Sequence, residues 1–261
     1  MVSRMRAPFV ACALMFVVAC GASDPPAQDP SDASTDLGTG TDGPATVDAR
    51  ADGASDGVAP PPDASSLVDD LLAKVATCKQ VSAGKFKTDD QTNLPENIPI
   101  CGLVGAVFWQ ADMDIDCDGK TTAQCNSTTD PSYQNQTAAT DSQGNPLDAA
   151  ALPYVVIPSN GPRFNYTHAG LKMGSVVLVI YGGKIEYGIL GDTGPTNIIG
   201  EASYAMAKNL GINPDPKVGG VDKGVTYIAF TGTTAVVKKK EDHTEAVTLG
   251  GTLTADLLKN N

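Results

Sequence analysis

Positive charge is scarce in this sequence of 261 residues. Lys and Arg together number 18 against 30 Asp and Glu, and the formal net charge is -12. Proteins that bind nucleic acid neutralise phosphates with clustered basic residues. We therefore expect no nucleic-acid partner, whereas an acidic chain of this kind suits a cationic ligand.

Zinc-binding patterns are also missing. The sequence has only two histidines, His168 and His243, and it contains no Cys-x-x-Cys pair. An even number of thiols in an exported domain is typical of disulfides instead. Two disulfides are expected, and the sequence leaves all three pairings open. The four cysteines concerned are Cys78, Cys101, Cys117 and Cys125.

After residue 20 the sequence has no hydrophobic run long enough to span a bilayer. The first 20 residues carry Arg4 and Arg6, followed by a short apolar run typical of a secretion signal. This run ends in Val-Val-Ala-Cys-Gly and resembles the processing box of bacterial lipoproteins. The resemblance implies that residues 1–20 are a signal peptide and that Cys20 carries a lipid. An ordinary cleaved signal is the alternative.

Residues 21–65 lack the apolar residues that a core requires. They contain nine Asp, seven Pro, one Arg and no aromatic residue. Low hydrophobicity with charge of one sign predicts a disordered, extended linker. Residues 66–261 then have a length suited to a single folded domain.

Apolar periodicity in residues 66–261 predicts a mainly β fold with short helices. Helical spacing follows Ser66 up to residue 79, and strands are indicated at 100–109, 153–158 and 225–230. Residues 175–180 and 184–190 form a predicted hairpin around Tyr181-Gly182-Gly183. Many short strands with two small helices favour a small antiparallel or mixed barrel.

Residues 191–203, directly after this hairpin, contain two carboxylates at places where elements meet. Asp192 lies where a strand ends, and Glu201 precedes a predicted helix at 202–210 that Gly211 ends. A pair of carboxylates on a rigid turn is the equipment for glycosidic bond cleavage, one as acid and one as base. The alternative is structural: Asp192 accepts hydrogen bonds in a turn, and Glu201 caps a helix.

A second acidic stretch runs from Asp112 to Gly119, with Asp at every other position. Asp114, Asp116 and Asp118 have the D-x-D-x-D-G form of a calcium loop, but Cys125 replaces the glutamate that such a loop needs at its twelfth position. In a strand these carboxylates would face one side, which requires a nearby cation. Calcium is a weak candidate, and the ammonium groups of an amino-sugar polymer are another. The structural alternative is a turn with solvated acids.

Four segments together resemble glycoside hydrolase family 75, the chitosanases best known from filamentous fungi. They occur in one consistent order and cover nearly the whole of the domain between Cys78 and Phe230. The segments are Trp109–Gly119, Pro153–Pro158, Gly191–Tyr204 and Gly219–Phe230. The resemblance implies an endo-acting enzyme that hydrolyses β-1,4 links of chitosan with inversion. It also implies that Asp192 and Glu201 are the essential carboxylates.

Several expectations about the site follow from that resemblance. We expect Asp112, Asp114 and Asp116 to bind substrate ammonium groups, with Tyr154 and Tyr204 available to stack on sugars. Trp109 is more consistent with core packing. A position at a helix N-terminus would favour Glu201 as the ionised base, which leaves Asp192 as the acid.

Wider expectations concern the fold and the setting of the enzyme. The Asp-Thr-Gly-Pro turn followed by a short helix resembles double-psi β-barrel proteins, so a six-stranded barrel of that kind is predicted. We expect no cofactor and a monomer. The domain should lie outside the cytoplasm, held at the outer membrane or cell surface only through its lipid, unless it is released as a secreted enzyme. Two alternative functions remain open: cleavage of peptidoglycan, and binding of cell-wall polysaccharide without cleavage.

Overall fold

The computed structural model describes residues 64–261. The predicted lipid attachment at Cys20, the predicted signal peptide of residues 1–20 and the predicted linker of residues 21–65 lie outside the described residues, apart from the last two linker positions. None of the helices in residues 64–261 is long and apolar enough to cross a membrane.

Seven strands and three α-helices make up the described chain. The strands are β1 (Cys101–Leu103), β2 (Ala106–Asp116), β3 (Tyr154–Pro158), β4 (Val176–Tyr181), β5 (Lys184–Gly194), β6 (Glu201–Ser203) and β7 (Val221–Phe230). The helices are α1 (Ala64–Lys74), α2 (Tyr204–Leu210) and α3 (His243–Asn260), with a 3-10 turn at Thr233–Ala235.

Six of the strands close into a barrel. Their order is β2-β6-β3-β5-β4-β7, and antiparallel pairing of β7 with β2 closes the sheet, while β1 is an additional strand beside β2. The pairs β2–β6 and β3–β5 are parallel and the other neighbours are antiparallel. The predicted six-stranded, mainly β barrel is confirmed.

Alternating residues divide the apolar side chains between two cores. The inner core includes Trp109 stacked on Tyr227, with ring centroids 5.2 Å apart, which confirms that Trp109 is a packing residue. The outer core lies between the other face of the sheet and the helices α1 and α3. Helix α2 contributes Met206, Ala207 and Leu210 to the inner core. Both faces of the sheet are therefore largely covered, which leaves few places where a polar substrate can reach it.

The predicted hairpin is formed by β4 and β5, and β5 continues four residues further than expected, to Gly194. Helix α2 ends as predicted at Gly211, whose φ of 81° is left-handed and suits glycine. It begins at Tyr204 rather than at residue 202. Helix α1 begins at Ala64, before Ser66, and ends at Lys74.

Two predictions about elements were wrong. The expected strand at 100–109 is interrupted by a turn at Gly105, whose φ is 79°, and β2 continues through the acidic run to Asp116. Helix α3 is a third helix where only two were expected, and Gly250 and Gly251 lie in its middle. Gly250 is required there, since a Cβ at this position would collide with the ring of Tyr187.

Candidate active site

Asp192 and Glu201 lie in one row across the sheet. Val156 of β3 is paired with Asp192 on one side and with Glu201 on the other. Residues paired directly across a sheet share a face, and two strand spacings separate their backbones by about 9.5 Å. The side chain of Glu201 extends towards the end of β5, because a Cβ placed on Gly194 would lie 3.6 Å from Glu201 Oε2. The structure therefore brings together the two carboxylates that the sequence singled out.

Asp192 is held by backbone donors. Its Oδ1 accepts hydrogen bonds from the N–H of Ala138 at 2.8 Å and of Thr193 at 2.7 Å. Burial raises the pKa of Asp192 above its ordinary value, while these two hydrogen bonds act in the opposite direction by stabilising the ionised form. Asp192 is thus a buried carboxyl group whose orientation is fixed by backbone hydrogen bonds, and these bonds also stabilise its ionised form.

Glu201 has a different environment. Burial raises its pKa to about 8, and the negative charges of Asp114, Asp118 and Asp192 act in the same direction. Glu201 is therefore a neutral acid around pH 7.

The expectation that Glu201 lies at the N-terminus of a helix was wrong. Glu201 is the first residue of β6, and the N-cap of α2 is Ser203, whose hydroxyl accepts a hydrogen bond from the N–H of Met206. The helix dipole is strongest in the first turn, so it gives the Glu201 anion no support of the kind expected. The reason for assigning Glu201 as the ionised base is removed.

Two further carboxyl groups, those of Asp116 and Asp118, interact electrostatically with Asp192 and Glu201. Burial, and then the charge of Glu201, raise the pKa of Asp116 well above its usual range, and Asp116 Oδ1 accepts the N–H of Asp118 at 2.6 Å. Burial raises the pKa of Asp118 to about 6, and the charges of Asp192 and Asp130 contribute. At neutral pH such a cluster retains protons, because adjacent buried carboxylates cannot all ionise.

The loop between β2 and β3 covers this cluster and contributes donors to it. Gln134 N–H bonds Asp118 Oδ1 at 2.6 Å, and Ala138 N–H bonds Asp192. The disulfide Cys117–Cys125 constrains the start of the loop, while Cys78–Cys101 connects the segment after α1 to β1. The prediction of two disulfides is confirmed, and the pairing is now defined. Sequence reasoning did not identify Ala138, because a backbone donor on a polar loop has no side-chain signature.

The predicted substrate-binding acids differ in accessibility. Asp114 is opposite Glu201 in the parallel β2–β6 pair and is half-buried. Asp112 and Asp116 are only 6% and 5% exposed. The carboxylate of Asp112 packs against Gly200, where any Cβ would overlap with it. Of the three, Asp114 is the one that a substrate at Glu201 could reach.

The two predicted stacking residues also differ. Tyr154 has no exposed surface, and its hydroxyl donates to the carbonyl oxygen of Asp118 at 2.9 Å. Its ring also packs on Gly191, which precedes Asp192. Tyr154 therefore supports the site from within and has no face free for a sugar. Tyr204 is half-buried at the start of α2 and packs against the outer core.

The structure does not arrange the acidic stretch of β2 as a calcium site. Within residues 64–261, no group of three or more His, Cys, Asp or Glu side chains is arranged to hold a metal ion. Asp116 and Asp118, two of the candidate ligands, accept backbone hydrogen bonds with the oxygens that a cation would need.

Comparison with known proteins identifies the family of this chain. Residues 113–251 match the family described as fungal chitosanase of glycosyl hydrolase group 75. Endo-chitosanase B of Aspergillus oryzae is 36% identical over 182 residues, covering 60% of this chain and 76% of that protein. An endo-chitosanase of Aspergillus fumigatus is 33% identical over 173 residues, covering 61% and 72% respectively. This chain belongs to glycosyl hydrolase group 75 and is a glycoside hydrolase.

Proposed function

We propose that the protein is an endo-chitosanase that hydrolyses β-1,4 links of chitosan by inversion, with Glu201 as general acid and Asp192 as general base. One observation supports the pair above all: Glu201 and Asp192 flank Val156 in a single row, yet within residues 64–261 backbone N–H groups bond Asp192 alone of the two. Paired carboxyl groups with unequal environments are the usual basis for dividing acid and base roles.

The proposed reaction follows from this division. Glu201, protonated, donates its proton to the glycosidic oxygen as the bond from that oxygen to the anomeric carbon breaks. Asp192 takes a proton from the water molecule whose oxygen bonds to the same carbon from the opposite side. Inverting enzymes keep their carboxyl groups about 6.5–9.5 Å apart to seat this water. The backbone spacing of about 9.5 Å between the two strands is compatible with that requirement. Exchange of protons with solvent restores both groups.

Substrate charge fits the acidic surroundings. Chitosan carries ammonium groups on its deacetylated units, and Asp114 lies opposite Glu201 where such a unit would be seated. A carboxylate in this position favours deacetylated over acetylated sugar through charge complementarity.

The proposal is tested by comparing three polymers and by identifying the product anomer. We expect the wild-type protein to release reducing ends from highly deacetylated chitosan, and far fewer from acetylated chitin or purified peptidoglycan. The first product detected by NMR should be the α-anomer. Release from peptidoglycan alone would contradict the proposed substrate, and an initial β-anomer would contradict inversion.

The acid and base roles are separated by leaving-group chemistry. A substrate with a good aryl leaving group needs little protonation. The Glu201→Gln variant should therefore recover much of its lost rate on an aryl glycoside, while Asp192→Asn should not. The reverse pattern would exchange the two roles.

We propose that the enzyme is a monomer tethered outside the cytoplasm through lipid on Cys20. The two disulfides agree with an oxidising compartment. Expression of the full chain with Cys20→Ser should move the protein from the membrane fraction to the soluble fraction. An unchanged distribution would contradict the anchor.

A further inference from the structure

A cavity of about 470 Å³ lies beside the carboxylate row, on the outer face of β2 and β7. Its floor contains Gln110 and Asp112 of β2 together with Asp222 and Thr226 of β7, and residues 88, 97 and 98 line it as well. This volume falls within the usual range of small-ligand sites. The walls combine polar side chains with the apolar side chains of Leu72, Ile98 and Ala111, a mixture that suits the polar edges and apolar faces of a sugar ring.

Two contacts place the cavity next to the chain segment that leads to Glu201. Asp112 packs against Gly200, the residue before Glu201, and no side chain at position 200 could fit between them. On the opposite wall, the backbone of Lys87 bonds both Asn197 and Ile199, just before Glu201. Residues 110 to 114 of β2 cover about 13 Å of strand, so one polymer chain could lie over Asp114 and Gln110 together.

The chemistry of the cavity suits an amino sugar. Asp222 is an exposed carboxylate, and Gly224 beside it has open space where a side chain would stand. Gln110 and Thr226 bond each other at 3.3 Å, and both have the groups needed to bind sugar hydroxyls. Lys223 also lines the cavity and would disfavour an ammonium near itself. Asp222 thus gives the cavity a preferred location for a cationic unit.

We propose that this cavity is a remote subsite of the chitosan-binding cleft, in which Asp222 binds the ammonium group of a deacetylated unit. This inference rests on the proposed function and extends it. The subsite engages only chains long enough to reach from Glu201 to β7. It therefore determines both the preference for long substrates and part of the preference for deacetylated ones.

The test measures binding separately from cleavage. A glucosamine hexamer is titrated into Glu201→Gln protein and into the Glu201→Gln/Asp222→Asn double variant by calorimetry. An exposed ion pair corresponds to a change in affinity of about two- to fivefold, so we expect the double variant to bind that much more weakly. A fully acetylated hexamer and a glucosamine dimer should show no difference between the two proteins.

The matched control is Glu201→Gln/Asp256→Asn, which removes the same charge from the exposed surface of α3, away from the cavity. It should bind the hexamer as Glu201→Gln does. Equal hexamer affinity with and without Asp222, or an equal loss with Asp256→Asn, would overturn the inference. Failure of wild-type protein to cleave chitosan would overturn the proposed function instead, and the titrations would still decide whether Asp222 binds the amino sugar.

Discussion

Glu201 and Asp192 are both carboxylic acids, but their neighbours give them different protonation states. Glu201 is surrounded by other acids, and its pKa is raised to about 8. Asp192 accepts two backbone N–H groups, which favour its ionised form against the burial that raises its pKa. Because a general acid must keep its proton at working pH and a general base must lose it, the surroundings divide the roles.

The raised pKa of Glu201 predicts how activity and stability depend on pH. The rate should fall as pH rises through about 8, because the acid loses its proton. An unfolded glutamate has a pKa of about 4.3, so between about pH 5 and pH 8 the folded state holds a proton that the unfolded state has lost. Stability should therefore decrease as pH rises across this window. The Glu201→Gln variant has no ionisable group at position 201 and should not lose stability in this way.

Thermal unfolding of wild type and Glu201→Gln at a series of pH values checks the stability prediction. The melting temperature of the variant should rise relative to wild type between about pH 5 and pH 8. Glu96→Gln is a useful control, because the Arg163 guanidinium at 2.7 Å lowers the pKa of Glu96, so the effect of this variant on the melting temperature should be constant between about pH 5 and pH 8. A melting-temperature difference that is constant with pH would contradict the neutral state of Glu201.

At the scale of elements, the loop between β2 and β3 supplies backbone donors to the carboxyl groups of the site. It brings the Ala138 N–H to Asp192 and the Gln134 N–H to Asp118. The disulfide Cys117–Cys125 reduces the length of loop that is free to move. The catalytic row therefore depends on the loop as well as on strands β3, β5 and β6.

Removing each disulfide separately should distinguish this loop from the rest of the fold. Replacement of Cys117 and Cys125 by Ala should destabilise the protein by about 2–3 kcal/mol and lower kcat, because Asp192 loses a fixed donor. Replacement of Cys78 and Cys101, 23 residues apart, should destabilise at least as much yet leave kcat near wild type. Denaturant unfolding and initial rates measure both effects. Equal kcat in the two double variants would contradict the role given to the loop.

Local patterns predicted some elements well and others poorly. The β4–β5 hairpin and the end of α2 at Gly211 were predictable, because a glycine turn and a left-handed cap are properties of adjacent residues. Strand β6 was not, since it exists through pairing with β2 and β3, which are distant in sequence. The same limit applies to Tyr154: its aromatic ring suggested sugar stacking, and only the tertiary fold buries it.

At the scale of the whole molecule, acidic charge agrees with the proposed substrate. The chain has a net charge of -12, and acidic residues concentrate around the catalytic row. Chitosan is a polycation, so attraction between them should assist binding and be screened by salt.

Initial rates at increasing ionic strength test this attraction. KM for highly deacetylated chitosan should rise with salt, and it should rise less for partly acetylated polymer, which has fewer ammonium groups. kcat should change little, because the side chains of Asp192 and Glu201 are surrounded by protein groups that limit screening by ions. A KM that is independent of both salt and acetylation would contradict electrostatic recognition.

The most direct test of the account is the rate of reducing-end release from highly deacetylated chitosan by wild type, Glu201→Gln and Asp192→Asn, with Asp256→Asn as a surface control. We predict that both catalytic variants lose at least about 100-fold in kcat while remaining folded, and that Asp256→Asn matches wild type. A folded Glu201→Gln or Asp192→Asn protein that keeps wild-type activity would contradict the assignment of this pair.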